Sequence, residues 1–290
     1  MIGMFKRRYK LRIERGYIYC GNGGGFLQDC DEYDANTDTW DNKTNAPLPA
    51  RYWLAATTIN YKGYIYGGSD GGNLQDCDEY DPSINTWDNK TDAPLPARYS
   101  SASSTISDKG YIYCGDDVGR LQDCDEYDSG LDSWDNKTDK PVPAIDFLAA
   151  STINNKGYVY CGRLSTGTRM KETNEYDPDT WTLKTDALAI RGYHAASTIN
   201  DKGYIYCGHD GGSILQSCDE YDPDTWTNKT NTPAPTRYSL SASTISNKGY
   251  IYGGYSTLRD CDEYTPDTWV SVTNIPTPGR YTAAASAIGV

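Results

Sequence analysis

Gly16-Tyr17-Ile18-Tyr19-Cys20-Gly21 returns as Gly63-Tyr64-Ile65-Tyr66-Gly67-Gly68, and again from Gly110, Gly157, Gly203 and Gly249, at steps of 47, 47, 47, 46 and 46 residues. Such a row of aromatic and β-branched residues favours a pleated strand. Each copy leads into an acidic segment that ends in Tyr33, Tyr80, Tyr127, Tyr176, Tyr221 or Tyr264. A tryptophan follows each time: Trp40, Trp87, Trp134, Trp181, Trp226 and Trp269. A proline-rich link, usually an arginine, and a run of small residues such as Leu54-Ala55-Ala56-Thr57-Thr58-Ile59 complete the period.

Four strands fit one period: the small-residue run (A), the Gly-Tyr-Ile-Tyr row (B), the Leu-Gln-Asp-Cys-Asp-Glu-Tyr segment (C) and the segment around the tryptophan (D). Turn residues separate them, as in Asn60-Tyr61-Lys62-Gly63 and Asp222-Pro223-Asp224-Thr225. No stretch carries an apolar period of 3.6 residues over helical length. Four strands in about 46 residues describe a propeller blade. The expected fold is all-β: a six-bladed β-propeller with four antiparallel strands per blade. The chain enters at strand B and ends, after Arg280, in a strand A with no strand B behind it. That last strand is expected to complete the first blade, because an open ring would leave unpaired edges.

The repeat resembles that of the kelch family, in which an Ile-Tyr strand ends in a glycine pair and a tyrosine and a tryptophan follow. Gly67-Gly68 and Gly253-Gly254 match the pair, and the other four copies read Cys-Gly. The resemblance covers residues 16–290, read as one kelch-like propeller, and leaves 1–15 as a basic, divergent or frayed arm holding Lys6, Arg7, Arg8, Lys10, Arg12 and Arg15.

Composition narrows the function. The net charge of −13 argues against nucleic acid, whose phosphates demand clustered cations. No apolar run approaches a membrane span, and the arm has no apolar core of a signal peptide. A cytoplasmic monomer is expected. Nine cysteines, an odd number unevenly spread over the repeats, read as free, mostly buried thiols rather than disulfides. The acidic strand C segments alternate their carboxylates across the strand, which does not gather them around a metal; they read as solvated blade edges. The Asn-Lys-Thr triplets at Asn42, Asn89, Asn136 and Asn228 match glycosylation sequons but recur because the repeat recurs.

Alternating strand direction puts the D–A and B–C connections on one face of the ring. The A–B turns opposite are near-copies, whereas the B–C loops differ in every blade, which points to the loop face as the recognition surface. Arg51, Arg98, Arg191, Arg237 and Arg280 share one repeat position there, and Ile145 breaks the series. A positive ring at the pore mouth is one reading; the other is that each arginine pairs within its own blade. Two residues further on stand Trp53, Ser100, Phe147, Tyr193, Ser239 and Thr282. The resemblance to kelch domains implies that such arginines hold acidic peptides, and their paired donors fit carboxylates. With Ile145 and Phe147 together, the site is expected to be apolar on one side. The two histidines, His194 and His209, both fall on this face of one blade, where a shared site is possible.

The expected function is a protein- or peptide-binding scaffold with no catalytic residues, no metal and no cofactor. Its candidate ligand-binding residues are Arg51, Arg98, Arg191, Arg237, Arg280, Trp53, Phe147, Tyr193, His194 and His209. The alternatives are a carbohydrate-binding or structural surface protein, and a sugar-acting enzyme like the kelch-type sialic acid epimerases, a likeness of fold that transfers no residues.

Overall fold

The computed structural model describes residues 13–290. Strands β1 to β24, numbered in chain order, form six antiparallel four-stranded sheets. One blade shows the plan. β4 (Ala55–Ile59), β5 (Lys62–Tyr66), β6 (Cys77–Asp81) and β7 (Thr86–Lys90) lie in that order from axis to rim. Strand C is shorter than its sequence reading: Leu74, Gln75 and Asp76 precede β6, and the Gln75 amide bonds the Ala93 carbonyl at 2.7 Å.

The ring closes as the repeat phase requires. β24 (Ala284–Gly289) pairs antiparallel with β1 (Glu14–Tyr19), in register from Glu14↔Gly289 to Tyr19↔Ala284. Residues 1–12, with most of the expected basic arm, lie outside the described range. The described end departs from that expectation, since Glu14 and Arg15 belong to β1 and Arg15 Nη2 pairs with Asp34 at 2.8 Å.

Three kinds of contact sew neighbouring blades together. The Tyr19 hydroxyl sits where a Cβ on Gly63 would lie, and Tyr66 meets Gly110 in the same way. Any larger residue at these glycines displaces a buried tyrosine, which explains why the first glycine of the repeat never varies. Trp87 Nε1 donates to the Thr44 carbonyl of the preceding blade at 2.8 Å, and the other strand D tryptophans repeat the bond, including Trp40 to Thr273 across the closure. Near the axis, the hydroxyls of Thr58, Thr105, Thr152, Thr198 and Thr244 each donate to a carbonyl of the preceding blade.

The Cys/Gly alternation after strand B has a backbone cause. Cys20, Gly67, Cys114, Cys161, Cys207 and Gly253 all have φ between 54° and 58°, and a Cβ added at Gly67 or Gly253 would collide with the Arg98 or Arg280 carbonyl oxygen. The glycine that follows has φ of 101° to 136°, which only glycine adopts without strain. All nine cysteines are free and buried. Burial pushes the Cys20 thiol up to about 11 and those of Cys114 and Cys161 up to about 12. Thiolate is the reactive form, so the native protein is expected to resist alkylation at pH 8. Unfolding without reductant should then release nine titratable thiols; fewer than eight would mean that disulfides form.

Candidate functional site

The loop face is organised by a closed ring of backbone hydrogen bonds. The N–H of Trp53 donates to the Thr282 carbonyl, Ser100 to Trp53, Phe147 to Ser100, Tyr193 to Phe147, Ser239 to Tyr193 and Thr282 to Ser239, at 2.7–3.1 Å. All six residues are left-handed, with φ of 50° to 59°. Each non-glycine residue held there stores on the order of 1 kcal/mol, and the ring, with one bond from every blade, holds them in place. These six positions thereby converge on the axis, as the repeat alignment anticipated.

The arginines do not face the pore. Arg51, Arg98, Arg191, Arg237 and Arg280 are all buried, and their guanidinium groups bond Asp78, Asp125, Asp219, Asp262 and Asp31 of their own blades. Arg191 Nη1 also reaches the Cys207 carbonyl at 3.2 Å. The positive ring is therefore replaced by five internal ion pairs that hold the D–A corner to strand C. Burial pushes the carboxyls of Asp31, Asp78 and Asp125 up even though each faces a guanidinium. The same contacts correct the expectation of solvated acidic edges. Asp78 is spent on Arg51, while Glu79, on the other side of β6, takes the Tyr64 hydroxyl, Lys62 at 2.5 Å and Lys90 at 3.5 Å.

The odd position in the arginine series is informative. Ile145 is buried, and the residue matching Asp78 in that blade is Asn174. Arginine and aspartate are lost together, as a dedicated pair would be. Sequence comparison among the blades alone could have shown this.

Aromatic rings cover the face instead. Tyr52, Tyr99, Tyr238 and Tyr281, each one residue after a buried arginine, were missed in the sequence reading. Trp53 stacks on Tyr99 with ring centroids 5.3 Å apart and meets Phe147 edge-on, also at 5.3 Å. Phe147 stacks on Tyr193 at 3.8 Å, and Tyr193 meets Tyr238 at 5.9 Å. Tyr238 stacks on Tyr255 at 4.7 Å, and Tyr255 meets Tyr281 at 5.4 Å. The belt borders a groove of about 440 Å³ lined by Tyr52, Trp53, Tyr193, Tyr238, Tyr255 and Tyr281, with Asn22, Arg169 and His209 among its polar groups.

Two blades break the tyrosine series: Gly192 stands at that position in the fifth, and Asp146 in the fourth. In the fourth blade, β13 (Lys156–Arg163) and β14 (Arg169–Asp177) extend past a bulge and bring Arg163 opposite Arg169. Arg163 makes two bonds to Asp146, at 3.0 and 2.7 Å, and lies 4.4 Å over the Phe147 ring. Arg120 pairs with Asp116 at 2.6 Å and with Asp146 at 3.3 Å. This side, expected to be apolar, is thus the charged one. Arg169 lies 5.5 Å from the centre of the Tyr193 ring and has no carboxylate partner among the described residues.

The histidines line different cavities. His209 Nδ1 accepts from the Gly211 N–H at 2.8 Å and its ring meets Tyr238. His194 is buried beside the axis, below the hydrogen-bonded ring.

These features define a six-bladed β-propeller with a closed ring and an aromatic loop face. No protein-family model matches the chain, and no curated protein matches it in sequence. Among solved structures, one titled "Structure of YjhT" superposes with a TM-score of 0.73 at 14% identity, over 91% of this chain and 98% of that one. The likeness is one of fold.

Proposed function

We propose that the protein is a binding scaffold of the kelch-repeat kind that holds a protein or peptide ligand on its aromatic loop face. The observation that carries this reading is the groove itself: stacked tyrosines beside Arg169, a cation with no carboxylate partner among the described residues, on the face where the repeats diverge. Rigid aromatics offer contact area at little entropic cost, and Arg169 can take a carboxylate with two parallel bonds. The acidic-peptide reading thus moves from the buried arginine series to the half-buried guanidinium of Arg169, whose Nη1 also donates to the Gly167 carbonyl at 2.6 Å. A second reading, a carbohydrate ligand, is favoured by the exposed ring of Tyr255 beside Asn22 and His209, since flat rings flanked by polar groups also suit sugars.

Screening a peptide library and a glycan array against the protein separates the two. We expect peptides with an acidic residue beside an apolar one to be selected, and Arg169→Gln to weaken them about 10- to 100-fold, as loss of a charged hydrogen bond implies. Selection of glycans alone would overturn the peptide reading in favour of the second.

A further inference from the structure

Below the ring of backbone hydrogen bonds lies a second cavity of about 100 Å³, which shares Trp53, Tyr193, Ser239 and Thr282 with the groove above. It is built from the same two repeat positions of every blade, and Leu54, Leu148, Leu240 and Ala283 give it apolar walls. Three of its lining residues carry buried polar atoms with no hydrogen-bond partner: Trp53 Nε1, Ser100 Oγ, and both ring nitrogens of His194. Across the six blades this position reads Leu54, Ser101, Leu148, His194, Leu240 and Ala283, so His194 is the one aromatic base among the six.

Buried polar groups are almost always satisfied, and each one left alone costs about 1–3 kcal/mol. Four such atoms, on three different blades, surround this one small cavity. No Asp, Glu, Lys or Arg lines the cavity. Burial, and after it the Arg191 charge, hold the His194 imidazole well below its ordinary range, so it is neutral at pH 7. A charged guest would meet no counter-charge there and would lose its hydration.

The orphaned groups define a complement. The Trp53 indole N–H only donates. The Ser100 hydroxyl donates or accepts. Neutral His194 donates from one nitrogen and accepts at the other. A carboxamide answers three of them, one ring nitrogen of His194 included: its oxygen accepts from the Trp53 indole and the Ser100 hydroxyl, and its NH₂ donates to the unprotonated imidazole nitrogen. At about 30 Å³ per water in the liquid, the cavity has room for a group of three or four heavy atoms.

We propose that this axial cavity is a binding site for an uncharged primary carboxamide, held by Trp53, Ser100 and His194. The amide is either a free small molecule or the end of a glutamine or asparagine side chain. The proposal rests on the axial geometry, and Trp53 belongs to both the cavity and the groove above.

Nuclear magnetic resonance of the full chain tests it, reading the Trp53 indole and His194 imidazole resonances during titration at pH 7. Trp53→Phe identifies the indole signal. Propionamide stands for the free amide and the tripeptide Gly-Gln-Gly for the side chain, with propionate as the charged isostere. We expect one or both amides to shift both resonances to saturation in the millimolar range, with propionate at least tenfold weaker. A response to propionamide alone assigns a small-molecule site, and a response to the tripeptide assigns a side-chain site. His194→Leu places in this blade the residue that three others carry, and it is expected to abolish the response of the Trp53 signal. Should that variant not fold, Ser100→Ala is expected to weaken the amide several-fold. No shift with either amide, propionate binding as tightly as propionamide, or an undiminished response in the folded variants would overturn the proposal.

Discussion

Replacing Arg51 with alanine is expected to destabilise the protein by about 3–5 kcal/mol, the cost of stranding one member of a buried ion pair. Arg51 is fully buried against Asp78, and the partner left behind has no other cation to pair with among the described residues. The double variant Arg51→Ile, Asp78→Asn should recover most of the loss, because it copies what the fourth blade already does with Ile145 and Asn174. Buried pairs exchanged for well-packed neutral residues are often tolerated. The single variant should also show a distinct pH dependence. Without the guanidinium, burial, with the charges of Asp76 and Asp92 behind it, raises the Asp78 carboxyl further. A carboxyl whose folded value lies above its unfolded one destabilises once it ionises, so the deficit should shrink as the pH falls. Urea unfolding of the three proteins at pH 7 and pH 5 measures both effects. A single variant as stable as wild type would remove the ion pairs from the account of the fold.

Deleting residues 284–290 should have an effect of comparable size and of a different kind. β24 is the innermost strand of the first blade and covers one edge of β1, where the Tyr19 hydroxyl bonds Ser286 at 3.0 Å. Its loss uncovers Tyr17, Ile18 and Tyr19 and opens the ring between the first and last blades. Thermal unfolding followed by circular dichroism is expected to lose its single sharp transition, since an opened ring has an unpaired edge from which to unravel. A truncated chain that melts like the intact one would show that the ring does not depend on its closure.

The fold could be read from the sequence because a propeller repeats its physics. Period, strand order, closure and the division into a uniform and a divergent face all follow from the spacing of Gly63-type and Trp87-type positions. The candidate site was less readable, for two reasons. A repeated arginine looks the same whether it points at the pore or into the blade; only its partner decides, and the partner, the Asp78 position, lies 27 residues along the chain. The co-loss of arginine and aspartate at Ile145 and Asn174 carried that information. The ring of left-handed residues was hidden for the opposite reason: no side-chain pattern marks it, since Trp53, Ser100, Phe147 and Thr282 share only a backbone shape. The tyrosines beside the buried arginines were in plain view, and their place on the surface became evident once the arginines turned inward.

The central claim is that the repeated arginines build the scaffold and the aromatic belt binds. The most direct test is the dissociation constant of a ligand selected on the wild-type protein, measured for two variants. Arg51→Ile, Asp78→Asn is predicted to leave binding unchanged. Tyr238→Ala, Tyr281→Ala is predicted to weaken it by on the order of tenfold or more, as for buried aromatic anchors elsewhere, while keeping the wild-type melting temperature. Loss of binding in the first variant with retention in the second would contradict the account and return the site to the arginines.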